Sequence, residues 1–220
     1  TSTAPAGTTL RSTVPGVTTA RTVDPVNPAD LSDVVARVDL AGPDAIVEAA
    51  RRANTAQREW AAVPAPVRGR VIAAIGRLVE ANFDALAELV TREVGKPIME
   101  SRGEVQEIVD TCDFFLGEGR RLYGQTVPSE MPDKQLFTFR VPVGTAVIVT
   151  AGNFPVAVPS WYLVPALLAG NAVVWKPAEY AAATADALAR IFVAGGLPEG
   201  LLTVVHAYGA ATFEGLDRAL

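Results

Sequence analysis

The spacing of hydrophobic positions changes twice along the chain, and each change marks a different kind of element. Ile46, Ala49, Ala50, Ala53, Ala56 and Trp60 recur at three- and four-residue intervals with arginines and glutamates between them, which predicts a helix opened by Gly42-Pro43-Asp44 and ended at Pro64. Residues 67–94 keep that period through Val71, Ile72, Ile75, Leu78 and Val79, then Leu86, Leu89 and Val90. This predicts two helices divided near residues 82–84 and stopped by Gly95-Lys96-Pro97. A further helix over 99–123 presents Val105, Ile108, Val109, Cys112, Phe115 and Leu116 and closes at Gly124. The period then drops to two. In QLFTFRV at 135–141, Phe137, Phe139 and Val141 share one face and Thr138 and Arg140 the other, predicting a half-exposed edge strand free to pair with another element or subunit. Beyond Gly144 alternation disappears, and Ala146-Val147-Ile148-Val149, residues 172–175 and residues 201–205 read as parallel strands covered on both faces. Apolar helical stretches separate them, the second over 181–193 and capped by Gly195-Gly196. The expectation is an α/β fold: an N-terminal helical layer, then a doubly wound parallel sheet that is incomplete, plus the edge strand.

Outside that pattern, residues 1–21 are rich in Thr, Ser, Ala, Pro and Gly and hold no acid, so a disordered extension is expected there. Residues 22–38 read as a small hairpin or edge strand around Asn27-Pro28-Ala29-Asp30. The chain ends at Leu220 inside what reads as a new helix without a C-cap.

Composition narrows the partners. A net charge of −5 over 220 residues argues against nucleic acid or an acidic membrane surface. Pro159, Pro165 and Gly170 interrupt the longest apolar candidate for a membrane span. A single cysteine, Cys112, excludes an intramolecular disulfide and fits a reducing, cytoplasmic setting.

Ligands of open parallel sheets lie beyond the carboxyl ends of the strands, which selects the loops 150–153, 176–179 and 206–209. Glu179, following the second strand, stands where such units place an acid for the adenosine ribose hydroxyls. The G-x-G-x-x-G phosphate turn is absent. Taken singly, Asn153 before Phe154-Pro155 also reads as a helix N-cap, and Lys176 with Glu179 as a solvated strand end followed by a first-turn acid. His206, the one histidine, has no partner in the text and reads as a surface or turn residue.

Pro142-Val143-Gly144, Gly152-Asn153-Phe154-Pro155, Pro165-Ala166-Leu167-Leu168-Ala169-Gly170-Asn171 and Lys176-Pro177-Ala178-Glu179 together resemble the aldehyde dehydrogenase superfamily in order and interval. Upstream Glu93-Val94-Gly95-Lys96-Pro97 and downstream Gly195-Gly196-Leu197-Pro198-Glu199-Gly200 extend the resemblance over residues 22–209. It implies a Rossmann-like, partial NAD(P)-binding domain over 22–220, with strand 135–141 as an oligomerisation element. It also implies oxidation of an aldehyde to a carboxylic acid through a cysteine thiohemiacetal and thioester, on a homo-oligomer using NAD or, with Glu179 turned aside, NADP. Asn153 matches the asparagine that donates to the oxyanion, and Lys176 and Glu179 match the pair that holds the ribose. Val149, Ala151 and Gly152 match the lining of the dinucleotide cleft and Gly209 the turn near adenine. The family commonly has Pro-Trp before the asparagine, where this chain has Ala151-Gly152. Cys112, on an apolar helix face well before the nucleotide unit, does not match the family nucleophile. That cysteine and the general-base glutamate fall in family text downstream of Leu220, so the chain is expected to be an N-terminal part, inactive alone. Two other readings stand beside this: a non-catalytic nucleotide-binding or oligomerisation module, and part of a CoA-acylating relative.

Overall fold

The computed structural model describes residues 8–219. Of the extension expected to be disordered, residues 1–7 lie outside that range, and the expectation is corrected for 8–21. These supply β1 (Thr9–Arg11) and the start of β2 (Thr19–Val23). The hairpin expected next is present as β3 (Val26–Asn27) against β4 (Asp30–Val34), its turn fastened where Ala29 N–H donates to Asn27 Oδ1 at 3.0 Å. β5 (Arg37–Ala41) then runs between β1, parallel to it, and β2, antiparallel. Composition hid this because few apolar residues order the segment: Leu10 and Val14 are buried and Val17 packs partly buried against the core. The rest is done by backbone and hydroxyl bonds.

Four helices follow. Asp44 lies in the first turn of α1 (Asp44–Ala62), and Ile46, Ala49, Ala53 and Trp60 form its buried stripe. Pro64 separates it from α2 (Ala65–Ala81), which carries Pro66 in its first turn, and α3 (Phe83–Val94) begins at the division read from the pattern. Gly95 ends α3 at φ 73°, a left-handed conformation that glycine adopts without a Cβ penalty, and its N–H reaches Thr91 O. α4 (Ile98–Glu118) packs along α2, burying Val105, Ile108 and Cys112 against Ile72, Ile75 and Val79. It stops five residues before the expected end. The chain there turns into β6 (Thr126–Pro128), which pairs antiparallel with β7 (Gln135–Phe137). The expected strand over 135–141 is therefore shorter: its ladder with β6 ends at Phe137, with one further bond from Thr138 N–H to Gln125 O at 2.9 Å. Phe137 and Phe139 remain exposed, their rings stacked with centroids 6.5 Å apart.

The rest is the expected parallel unit. β8 (Thr145–Val149), α5 (Ala157–Leu168), β9 (Ala172–Lys176), a 3-10 turn (Glu179–Ala181), α6 (Ala182–Ala194), β10 (Leu202–Val204) and α7 (Gly209–Ala219) follow in order. The strands lie β10-β9-β8, all parallel. Every residue of β9 is buried although alternate side chains face opposite sides, so the strand is covered on both faces. β8 is half-buried, and among the described residues it pairs only with β9. At the other side Thr13 N–H donates to Val204 O at 2.9 Å and Val204 N–H to Thr13 Oγ1 at 2.9 Å, so the ordered N-terminal segment covers the edge of β10.

Buried polar groups fix the unit. The carbonyls ending α5 are taken up by Trp60 Nε1 at Leu167 (2.7 Å), Arg68 Nε at Leu168 (2.7 Å) and Gln57 Nε2 at Gly170 (3.0 Å). Asn171 Oδ1 accepts the N–H groups of Val143 and Gly144, joining the entry of β8 to the entry of β9. Glu93, buried at the end of α3, accepts the first N–H groups of α6, from Ala183 and Thr184, both at 2.7 Å. Burial pushes its carboxyl above the ordinary range, against the pull of those donors.

Candidate functional site

The carboxyl ends of β8 and β9 meet in register, with Val149 opposite Lys176. Thr150 continues the pairing: its N–H donates to Lys176 O at 3.1 Å and its Oγ1 accepts Trp175 Nε1 at 2.9 Å. Lys176 is 5 % exposed, which removes the solvated-strand-end alternative. Its Nζ lies 3.2 Å from Glu179 Oε1, and Glu179 opens the 3-10 turn with its side chain partly accessible. A buried ammonium paired with a reachable carboxylate presents a donor beside an acceptor, the set that binds two adjacent hydroxyl groups.

Tyr180, next in that turn, closes the gap to the β8 loop. A Cβ on Gly152 would stand 2.3 Å from Tyr180 Cε2, so the ring occupies the space a side chain at 152 would need. The departure noticed in the sequence at Ala151-Gly152 thus coincides with an aromatic ring reaching in from the neighbouring strand end. Val149 and Ala151 are exposed beside it.

Asn153 is exposed, and no described residue hydrogen-bonds its side chain. It is not the N-cap of α5. That helix starts at Ala157 after Val156 and has no side-chain cap of its own. Its first donors, Val156 N–H and Ala157 N–H, go to Glu104 Oε2 of α4 at 3.1 and 3.3 Å. The other oxygen of Glu104 pairs with Lys96, whose Nζ sits 3.8 Å from the centroid of the Phe154 ring.

Gly209 is the first residue of α7 rather than part of a turn, and a Cβ there would meet nothing within 4 Å. It follows β10, one strand beyond the Lys176–Glu179 pair. The reading of His206 as a surface or turn residue is corrected: it is 2 % exposed at the end of β10, and both ring nitrogens lack a partner among the described residues. Burial, helped by the charge on Lys176, lowers its pKa to about 4. Cys112 is fully buried, and burial with Asp113 nearby pushes its thiol up to about 12, so it is not a thiolate at neutral pH.

The sequence reading missed Glu104 and Tyr180, quoted Lys96 only as part of a motif, and had Thr150 only as the start of a candidate loop. Glu104 carried a signal: it lies on the i, i+4, i+8 stripe with Ile108 and Cys112, an acid where the pattern calls for an apolar residue. Among the described residues no group of His, Cys, Asp and Glu is placed to hold a metal ion, and no helix is long and apolar enough to cross a membrane.

Comparison with known proteins places the chain in a family context. The model of the aldehyde dehydrogenase family matches residues 16–218. The α-ketoglutarate semialdehyde dehydrogenase of Haloferax volcanii is 38 % identical over 193 residues, which are 88 % of this chain and 40 % of that protein. Among solved structures, an NAD-dependent aldehyde dehydrogenase from Sinorhizobium meliloti superposes with a TM-score of 0.89 at 30 % identity, covering 96 % of this chain and 43 % of that one. An E. coli NADP-dependent enzyme superposes with a TM-score of 0.87 at 32 % identity, covering 92 % and 43 %. The chain spans about two-fifths of the length of these relatives.

Proposed function

Because this chain belongs to the aldehyde dehydrogenase family, we propose that it forms the N-terminal, dinucleotide-binding part of an NAD(P)-dependent enzyme that oxidises an aldehyde to a carboxylic acid. The observation that carries this reading is the pairing of a free, exposed Asn153 amide with the Lys176–Glu179 donor–acceptor pair, both at the carboxyl ends of parallel strands. In it, a cysteine thiolate adds to the aldehyde carbon, and Asn153 donates N–H to the oxygen where negative charge gathers in the thiohemiacetal. Lys176 and Glu179 hold the adenosine ribose hydroxyls, Val149, Ala151 and Gly152 line the cleft, and Gly209 leaves open space on the adenine side. NAD would supply the hydride acceptor there: the C–H bond of the thiohemiacetal carbon breaks, its hydrogen leaving with both electrons, and the carbonyl reforms as a thioester for water to hydrolyse.

Cys112 does not supply the nucleophile, being buried with its thiol protonated. In this reading the nucleophile is a cysteine other than Cys112, and the general base is a glutamate outside these residues. The purified 220-residue chain, given NAD and an aldehyde, is expected to form no NADH at 340 nm, whereas the complete enzyme does; NADH formation by the chain alone would overturn this division of the site.

Glu179 tilts the cofactor toward NAD, since its carboxylate repels a 2′-phosphate on the ribose it holds. In the complete enzyme Glu179→Gln should raise the NADP/NAD ratio of kcat/KM severalfold. An unchanged ratio would count against the assignment of Glu179.

The exposed apolar side chains of Phe137, Phe139 and Val141 favour a role for the β6–β7 arm in joining copies of the enzyme, which we read as a homo-oligomer. The protein is assigned to the cytoplasm on its cysteine usage.

A further inference from the structure

The loop between β8 and α5 is held on both sides of Asn153, and the fastenings come from other elements. Before it, Thr150 is tied to Trp175 and Gly152 is covered by the Tyr180 ring. After it, the Lys96 ammonium lies over the face of Phe154, and Glu104 takes the N–H groups of Val156 and Ala157. One carboxylate therefore serves two purposes, holding the start of α5 through Oε2 and the Lys96 ammonium through Oε1. The side chains of Lys96 and Glu104 are only 10 % and 2 % exposed. A buried ion pair adds little net stability over apolar residues of similar size, so stability alone is a weak reason for one here. At 3.8 Å the ammonium is well inside the range for attraction to a ring face, and that ring belongs to the residue beside Asn153.

We propose that Lys96 is a positioning residue for Asn153: anchored by Glu104, it clamps the Phe154 ring and so fixes the direction in which the neighbouring amide donates. The inference rests on the oxyanion reading of Asn153. A donor aimed in advance at the developing charge needs no reorganisation during the reaction, and a donor on a loosened loop loses that advantage. In this role Lys96 acts through the Phe154 ring and the loop backbone, and needs no contact of its own with substrate or cofactor.

The test is a set of variants of the complete enzyme, read as kcat and as KM for NAD and aldehyde. Lys96→Met is expected to lower kcat by about tenfold to a hundredfold, the scale of a small misplacement of a catalytic group, with KM for NAD unchanged. Lys96→Arg, which keeps the charge and the stacking, should recover most of the loss. Phe154→Leu leaves the buried pair in place and should reproduce the kcat loss, which guards against a Lys96→Met protein that fails to fold. Combined with Asn153→Ala, Lys96→Met should cost nothing further, because the group it aims is already gone. An equal additional loss in the double variant, or a Phe154→Leu enzyme with full kcat, overturns the proposal. If Asn153→Ala itself leaves kcat unchanged, the oxyanion reading fails instead.

Discussion

Replacing Asn153 by alanine in the complete enzyme lowers kcat by about a hundredfold to a thousandfold, the usual cost of losing one donor from an oxyanion site. Its thermal midpoint and its affinity for NAD stay near those of the parent. The two halves of that expectation follow from different observations. The side chain is exposed and makes no hydrogen bond among the described residues, so truncating it breaks nothing seen in the fold, and surface changes of that kind stay within about 0.5 kcal/mol. The cap of α5 is supplied by Glu104, so no helix terminus is lost either. Asn153→Asp sharpens the test: it is nearly the same size but presents only acceptors and a negative charge to a developing oxyanion, so it should be at least as slow as alanine. Single-turnover formation of NADH separates this chemical step from product release. A midpoint that falls together with kcat in both variants would return Asn153 to a structural role.

What was legible in the sequence divides along a physical line. Periodicity registers which faces are buried, so the helices at 44–62 and 65–94 and the three parallel strands emerged with small errors at their ends. The continuous apolar text of 172–175 was a reliable sign of a strand covered on both faces because no amphipathic element can carry it without exposing apolar surface. Pairings between residues far apart in the chain left no such mark. Glu93 reaches Thr184 across 91 positions and Glu104 reaches Val156 across 52, and neither partner residue signals the other. Both acids did break an apolar stripe, which marks a buried polar role without saying which. The N-terminal segment was misread for the opposite reason. Ser12 and Thr13 pair with β10 through backbone and hydroxyl groups, as His206 N–H donates to Ser12 Oγ at 3.0 Å, and composition registers such residues only as loop-forming. At the site itself, the single letters Gly152 and Tyr180 looked unrelated until the ring was found in the place of the missing side chain.

His206 should make the folded chain lose stability in acid well before its surface carboxylates are protonated. Its imidazole is buried without a hydrogen-bond partner among the described residues and close enough to Lys176 to feel its charge, and both effects disfavour the imidazolium. The unfolded chain takes up that proton near the ordinary histidine value of 6.5, and the folded chain only at about 4. Between those values the unfolded state binds more protons, so stability rises with pH across the window and is lost as pH falls through it. Over about two and a half pH units the loss is on the order of 3 kcal/mol, a large share of the stability of an ordinary domain. Two carboxyls act in the opposite direction: burial raises Glu93 and Asp186, so each favours the folded state more as pH falls into its range. Asp33, held down to about 2 by Arg92, titrates below the window. The histidine term is therefore isolated by difference. Urea midpoints of the parent and of His206→Phe, measured every half unit from pH 7 to 4.5, should diverge in slope, the variant losing less stability in acid because it has no imidazole to protonate on unfolding. Phenylalanine keeps the ring volume at a site where neither nitrogen is bonded among the described residues, so the variant is expected to fold. Parallel pH profiles for the two proteins would mean that water or Lys176 rearranges to admit the imidazolium, and that the ring is less secluded than its burial implies.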